Sequence, residues 1–128
     1  MKLKHVLLID DNEIDNYISK IMITRKNLTE KISVAASAIE ALEYLETLLN
    51  KPEEFPDVIF LDINMPQMDG FGFLEEYSKF PEHVTANVSV YMLTSSSDPN
   101  DIERATQNPM VKKYFSKPLT ESVLNELK

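Results

Sequence analysis

The residues whose types could do chemistry stand just past short apolar runs. Asp10 and Asp11 follow Val6–Ile9, Asp62 follows Val58–Leu61, Thr94 follows Val88–Leu93, and Lys117 comes soon after Val111–Phe115. Three carboxylates drawn into one crevice raise one another's pKa and cost stability unless a cation joins them. The chain has no cysteine, so thiolate ligands and disulfides are excluded and any metal must be held by oxygen. Mg²⁺ answers that description: it takes octahedral oxygen ligands, keeps several waters, and is held by one or two carboxylates plus a phosphate. The remaining groups suit a phosphoryl guest. Lys117 supplies a compact positive charge, Thr94 a hydroxyl donor, and Asp62 a carboxylate nucleophile able to form an acyl phosphate. Phosphoryl transfer asks mainly for positioning and charge neutralisation, so such a site needs no histidine base.

Residues so far apart in sequence meet only if the elements between them turn the chain back each time. The apolar runs Val6–Ile9, Ile32–Ala36, Val58–Leu61, Val88–Leu93 and Val111–Phe115 read as five strands, the first and third buried on both faces. Helical spacing separates them: Ile14, Ile18 and Ile21, then Ala38, Leu42, Leu45 and Leu49, then Phe71, Leu74 and Tyr77. Ser37 with Glu40 forms a capping-box pattern, and Asp98 before Pro99 suits an N-cap and first helical position. A last helix is expected from about Thr120 to the end. Strands alternating with helices imply a parallel sheet with right-handed crossovers, here an α/β, flavodoxin-like, doubly wound sheet of order 2-1-3-4-5 with five helices over both faces. Ligands of such sheets bind outside the carboxyl ends of the strands, where these residues lie.

Composition narrows the class. The 128 residues, 43% hydrophobic and 27% charged, suit one soluble globular domain, and Val6–Ile9 is too short for a signal peptide or membrane span. A net charge of −8 repels nucleic acid phosphates and anionic lipid, so proteins and cations are the expected partners. The expected location is the cytoplasm.

Each residue also has an ordinary reading. Asp10 and Asp11 could cap the first helix, Lys117 could be a surface lysine like Lys112 and Lys113, and Tyr114 a half-buried strand residue. His5 and His83 read as structural or exposed. A calcium loop beginning at Asp62 fails because Pro66 takes its fifth position and Gly70 comes too late. The ordered set is what separates the readings. Leu7-Leu8-Ile9-Asp10-Asp11-Asn12, Val58 to Pro66 with Asp69-Gly70, Leu93-Thr94-Ser95-Ser96 and Ser116-Lys117-Pro118 together resemble the signature blocks of response-regulator receiver domains, in order and along nearly the whole chain.

That resemblance implies a stand-alone receiver over residues 1–128, without an effector, in a histidine-to-aspartate phosphorelay. Asp62 would accept phosphate from a sensor histidine kinase or a histidine phosphotransfer protein. Asp11, Asp62 and the backbone carbonyl of Asn64 would bind Mg²⁺, or Mn²⁺ in its place, with Asp10 assisting through water. Thr94, Ser95 and Lys117 would bind the phosphoryl group, and the Lys117–Pro118 bond would be cis. Thr94 and Tyr114 match the switch pair, whose tyrosine ring would turn from an exposed to a buried position. Output would pass through the surface of helix 4, strand 5 and helix 5 to an unknown downstream protein, from a monomer or weak dimer. Asn64 and Ser96 hold the positions that tune phosphoryl lifetime, and the only hydrolytic activity would be slow self-dephosphorylation.

Three other functions compete. A flavin-binding electron carrier shares the fold but wants small phosphate-cradling residues in its first loop, where Asp10, Asp11 and Glu13 stand, and the chain has only two glycines. An aspartate-nucleophile phosphatase wants an acid where Asn64 stands. A pseudo-receiver would only bind partners, yet every acceptor-site residue type is present.

Overall fold

The computed structural model describes residues 3–127. Its sheet is five-stranded and all parallel, in the order β2-β1-β3-β4-β5, with β1 Val6–Ile9, β2 Ile32–Ala35, β3 Val58–Leu61, β4 Ser89–Thr94 and β5 Val111–Ser116. Six helices are described: α1 Glu13–Arg25, α2 Ala38–Thr47, α3 Gly70–Tyr77, α4 Glu82–Thr85, α5 Pro99–Gln107 and α6 Glu121–Asn125. The fold class, strand order and helix-covered faces agree with the sequence reading; the helix count is one higher. α4 is a single turn after Pro81, too short to show a period, so the helices expected fourth and fifth are α5 and α6. The loop after α2 also carries a 3-10 turn at Pro52–Glu54.

Alternation along the strands divides the core. Leu7, Ile9, Ile59, Leu61, Val90 and Met92 pack on one face with residues of α2, α3 and α5 such as Leu45, Phe73, Leu74 and Ala105. Val6, Leu8, Phe60, Tyr91 and Leu93 pack on the other with Ile23 of α1 and Leu124 of α6. All four residues of β1 and of β3 are buried, as expected of central strands with helices on both sides. Burying each such side chain contributes about 1.5–3 kcal/mol, so the two strands that precede the aspartates are firmly held.

Helix starts follow local chemistry. Ser37 Oγ accepts from the Glu40 amide, Asp98 Oδ1 from Asn100, Asp69 Oδ1 from Gly72 and Thr120 Oγ1 from Val123. α1 departs from expectation in its facing. Ile14, Ile18 and Ile21, the stripe that marked the helix, lie exposed, with Ile14 at 69%. The buried face instead carries Asn16, Ser19 and Ile23. Polar residues can sit there because Asn16 Nδ2 donates to the Asp10 carbonyl, a bond that fastens α1 to the end of β1.

Candidate functional site

The register of the sheet assembles the acids. Ile9 pairs with Leu61, so the residues that follow, Asp10 and Asp62, emerge side by side, and the Asp62 amide donates to the Ile9 carbonyl at 3.0 Å. Asp10 and Asp62 are buried, Asp11 is exposed, and the three present carboxylate oxygens within 4.8 Å of one another. Neither Asp10 nor Asp11 caps α1: Asn12 does, its Oδ1 accepting from the Asp15 amide at 3.0 Å. Asp10 Oδ1 accepts from the Asn12 amide at 2.9 Å, and Asp62 Oδ1 from the Ile63 amide at 2.8 Å.

Lys117 reaches this cluster from the far side of the sheet. Thr94 pairs with Ser116, and the Lys117 amide donates to the Thr94 carbonyl at 3.0 Å. Its ammonium lies 2.6 Å from Asp10 Oδ2, 2.7 Å from Asp15 Oδ2 and 3.4 Å from Asp62 Oδ2. Burial pushes the Asp10 carboxyl above its ordinary value, with Asp62 adding to the rise and Lys117 and the Asn12 amide opposing it. Burial alone would lower the lysine, but its hydrogen bonds to Asp10 and Asp15 outweigh that and raise it. The lysine is therefore held charged among acids that repel one another. The Lys117–Pro118 peptide bond is cis.

The loop after Asp62 is shaped closely around it. Gly70 donates to the Ile63 carbonyl at 2.8 Å, and a Cβ on Gly70 would fall 2.4 Å from the Asp62 carbonyl oxygen. Gln67, with φ 70°, lies between Pro66 and Met68, whose amide donates back to the Pro66 carbonyl at 2.8 Å, a γ-turn. Asn64 is exposed at the start of this loop.

Thr94 is fully buried, and its hydroxyl accepts from the Ser96 amide at 3.2 Å. Ser95 is exposed. The Tyr114 ring is half-buried, and its hydroxyl donates to the Ser96 carbonyl at 2.6 Å. Ser96 Oγ in turn donates to Asp101 Oδ2 of α5 at 2.7 Å. The two peptide groups that flank Ser96, just after β4, thus touch Thr94 through one N–H and Tyr114 through one carbonyl.

Two acids in these networks escape a reading of the sequence alone, Asp15 beside Lys117 and Asp101 beside Ser96. Asp15 has no signal beyond its place in the first turn of α1. Asp101 has none beyond its place in the first turn of α5.

Comparison with known proteins decides the family. The sequence model of the response regulator receiver domain matches residues 6–127. The chain belongs to that family. Among relatives of this receiver, the two-component response regulator ORR8 of Oryza sativa is 29% identical over 119 residues, covering 93% of this chain and 90% of that protein. The sensor histidine kinase CheAY of Helicobacter pylori is 30% identical over 93% of this chain, which matches 14% of its length. A two-component response regulator from Cytophaga hutchinsonii superposes with a TM-score of 0.90 at 33% identity, covering 98% of this chain and 93% of that one. A response regulator receiver protein from Dyadobacter fermentans gives 0.84 at 32% identity, covering 97% and 94%.

Receiver domains are signalling phosphoacceptors of two-component systems that bind Mg²⁺ at an aspartate cluster. The donors here fit such an ion: they are all oxygen, converge within 4.8 Å, and include two buried carboxylates whose mutual repulsion a cation would relieve. Among the described residues no helix is long and apolar enough to cross a membrane.

Proposed function

We propose that Asp62 is the phosphoacceptor of this receiver, taking its phosphoryl group from a phosphohistidine of a sensor histidine kinase or a histidine phosphotransfer protein. An Asp62 carboxylate oxygen attacks phosphorus, the O–P bond forms, the N–P bond breaks, and the electron pair returns to the imidazole of the donor. The observation that carries this reading is the Lys117 ammonium, held 2.6 Å from Asp10 and 3.4 Å from Asp62. It stands where negative charge would gather on a phosphoryl group joined to Asp62. Asp10, Asp11, Asp62 and the Asn64 carbonyl are the groups that would hold Mg²⁺, or Mn²⁺, whose contribution is neutralisation of that charge. Thr94 and Ser95 are the hydroxyl donors proposed for the phosphoryl oxygens.

Ser96 and Asn64 are proposed to set how long the group lasts. Serine at 96 is too short to orient an attacking water as a longer amide or carboxylate could, and its hydroxyl is engaged by Asp101, so hydrolysis is expected on the slower side. The surface of α5, β5 and α6, beside Tyr114, is where a downstream protein would sense the change.

Acetyl phosphate with Mg²⁺, followed by intact mass, tests the reading: wild type gains one phosphoryl group and Asp62→Asn gains none. Mg²⁺ raises the melting temperature of wild type by mass action, and Asp11→Asn loses that rise. Ser96→Gln changes the decay rate of the label without preventing it. Equal labelling of Asp62→Asn places the acceptor elsewhere, and decay unchanged in Ser96→Gln removes position 96 from the account.

A further inference from the structure

Lys117 is held by an acid that acceptor chemistry does not require. Asp15 accepts from its ammonium at 2.7 Å, closing a contact between residues 102 apart in sequence. The ammonium has three N–H donors, and its three carboxylate neighbours are Asp10, Asp15 and Asp62. Two of them, Asp10 and Asp62, belong to the trio whose oxygens converge within 4.8 Å. Those are the carboxylates that a cation and a phosphoryl group would claim. Asp15 is outside that trio, so its hold on the lysine is compatible with a filled site.

Asp15 is also built to stay in place. It lies in the first turn of α1, where its amide is fixed by the Asn12 cap, and the helix is fastened to β1 through Asn16. Its side chain is 32% exposed against 9% for Asp10, so it is less desolvated than the buried acid that shares the lysine.

We propose that Asp15 is a positioning residue for Lys117, the constant partner that keeps the ammonium facing the acceptor while Asp10 and Asp62 are given up to other partners. The inference rests on the reading of Asp62 as phosphoacceptor. Without Asp15 the ammonium can be satisfied only by carboxylates of the site itself, so lysine and cation compete for Asp10. Removing Asp15 therefore weakens Mg²⁺ binding and slows phosphoryl uptake, and both effects require Lys117.

The test is a double-mutant cycle over wild type, Asp15→Ala, Lys117→Met and the double variant, reading Mg²⁺ affinity by calorimetry and the labelling rate with acetyl phosphate. Asp15→Ala is expected to weaken Mg²⁺ binding about tenfold when Lys117 is present, the scale of one charge-assisted hydrogen bond. In the Lys117→Met background the loss falls below about threefold, what a partly solvated charge contributes through its field alone. Asp15→Asn, which keeps the size of the side chain and an acceptor oxygen but loses the charge, gives a smaller loss with the same dependence on Lys117. Wild-type-like melting of both Asp15 variants excludes a folding defect. An equal loss in both backgrounds, or no loss in either, overturns the positioning role. If wild type itself neither binds Mg²⁺ nor takes label at Asp62, the acceptor reading falls first, and the inference with it.

Discussion

Tyr77 packs its ring between Phe73 and Phe80, with centroids 5.5 and 5.6 Å away, and its buried hydroxyl finds no partner among the described residues. An unsatisfied buried hydroxyl costs about 1–3 kcal/mol, so Tyr77→Phe should raise the unfolding free energy by roughly 1 kcal/mol, read from urea denaturation. A loss of stability instead means that the hydroxyl is bonded in solution. His5 is buried as well, but satisfied: Nδ1 donates to the Glu54 carbonyl, and Nε2 accepts from Ser33, whose oxygen lies 3.1 Å from the Tyr44 hydroxyl. Burial holds its pKa below the ordinary 6.5, so the unfolded chain takes a proton more readily than the folded one. Its contribution is therefore complete above pH 6.5 and is lost as pH falls below that value. Between pH 7.5 and 5.5, settings chosen to bracket that value, wild type should lose more melting temperature than His5→Gln; equal losses remove His5 as the cause. At this scale the sequence shows Asp10, Asp11, Asp62 and Lys117 because each follows a strand. It hides Asp15, whose partner lies 102 residues away and is chosen by packing, and Asp101, whose partner Ser96 lies in the loop that leads into its own helix.

The elements near the site were legible where local chemistry sets them and obscure where tertiary contacts do. Ser37, Asp98 and Thr120 cap the helices they precede, as their types suggest. α1 was found by a stripe that faces solvent, because period alone gives a helix but not which side the sheet will cover. α3 holds both glycines of the chain, and only one of them is required by geometry. A Cβ on Gly70 would lie 2.4 Å from backbone of Asp62, whereas one on Gly72 would meet the movable Met68 side chain at 2.8 Å. Gly70→Ala should cost about 2 kcal/mol or more, the range of overpacking, and slow labelling because α3 must retreat from the acceptor. Gly72→Ala should be neutral or stabilise by up to about 1 kcal/mol, the helix preference for alanine. Denaturation midpoints and labelling rates of the two variants check both; similar costs at both positions refute the account of α3.

Across the whole molecule, strand order is what converts a linear set of motifs into a site, since β1 and β3 are neighbours although α1, β2 and α2 separate them in sequence. Alternation of strands and helices points to a parallel sheet without fixing its order, and the flavodoxin-like order chosen for it is the one the structure has. The contact that joins the end of β4 to Tyr114 on the far edge of the sheet was not legible in the sequence, because it runs through backbone. Thr94 accepts from the Ser96 amide, and the Ser96 carbonyl accepts from Tyr114, so the peptide units of Ser96 join the buried end of β4 to β5. The family resemblance implies only that the Tyr114 ring turns from an exposed to a buried position. The geometry adds a bonded connection, with the Tyr114 ring half-buried and its hydroxyl on the Ser96 carbonyl. A phosphoryl oxygen on Asp62 that draws the Thr94 hydroxyl to itself by a charge-assisted hydrogen bond withdraws it from the Ser96 amide, and the Ser96–Tyr114 bond must respond. Burial raises the pKa of the Tyr114 hydroxyl, with Asp101 contributing, so it remains a donor at neutral pH. Thr94→Ala should therefore leave Asp62 able to take label yet shrink the phosphorylation-dependent NMR shifts at Tyr114 and at Ala105 of α5. Tyr114→Phe, which keeps the ring and removes the hydroxyl, should shrink the shift at Ala105 while leaving that at Ser96. Full-sized shifts at Ala105 in both variants mean that the outer surface responds to the new charge directly, without passing through Ser96.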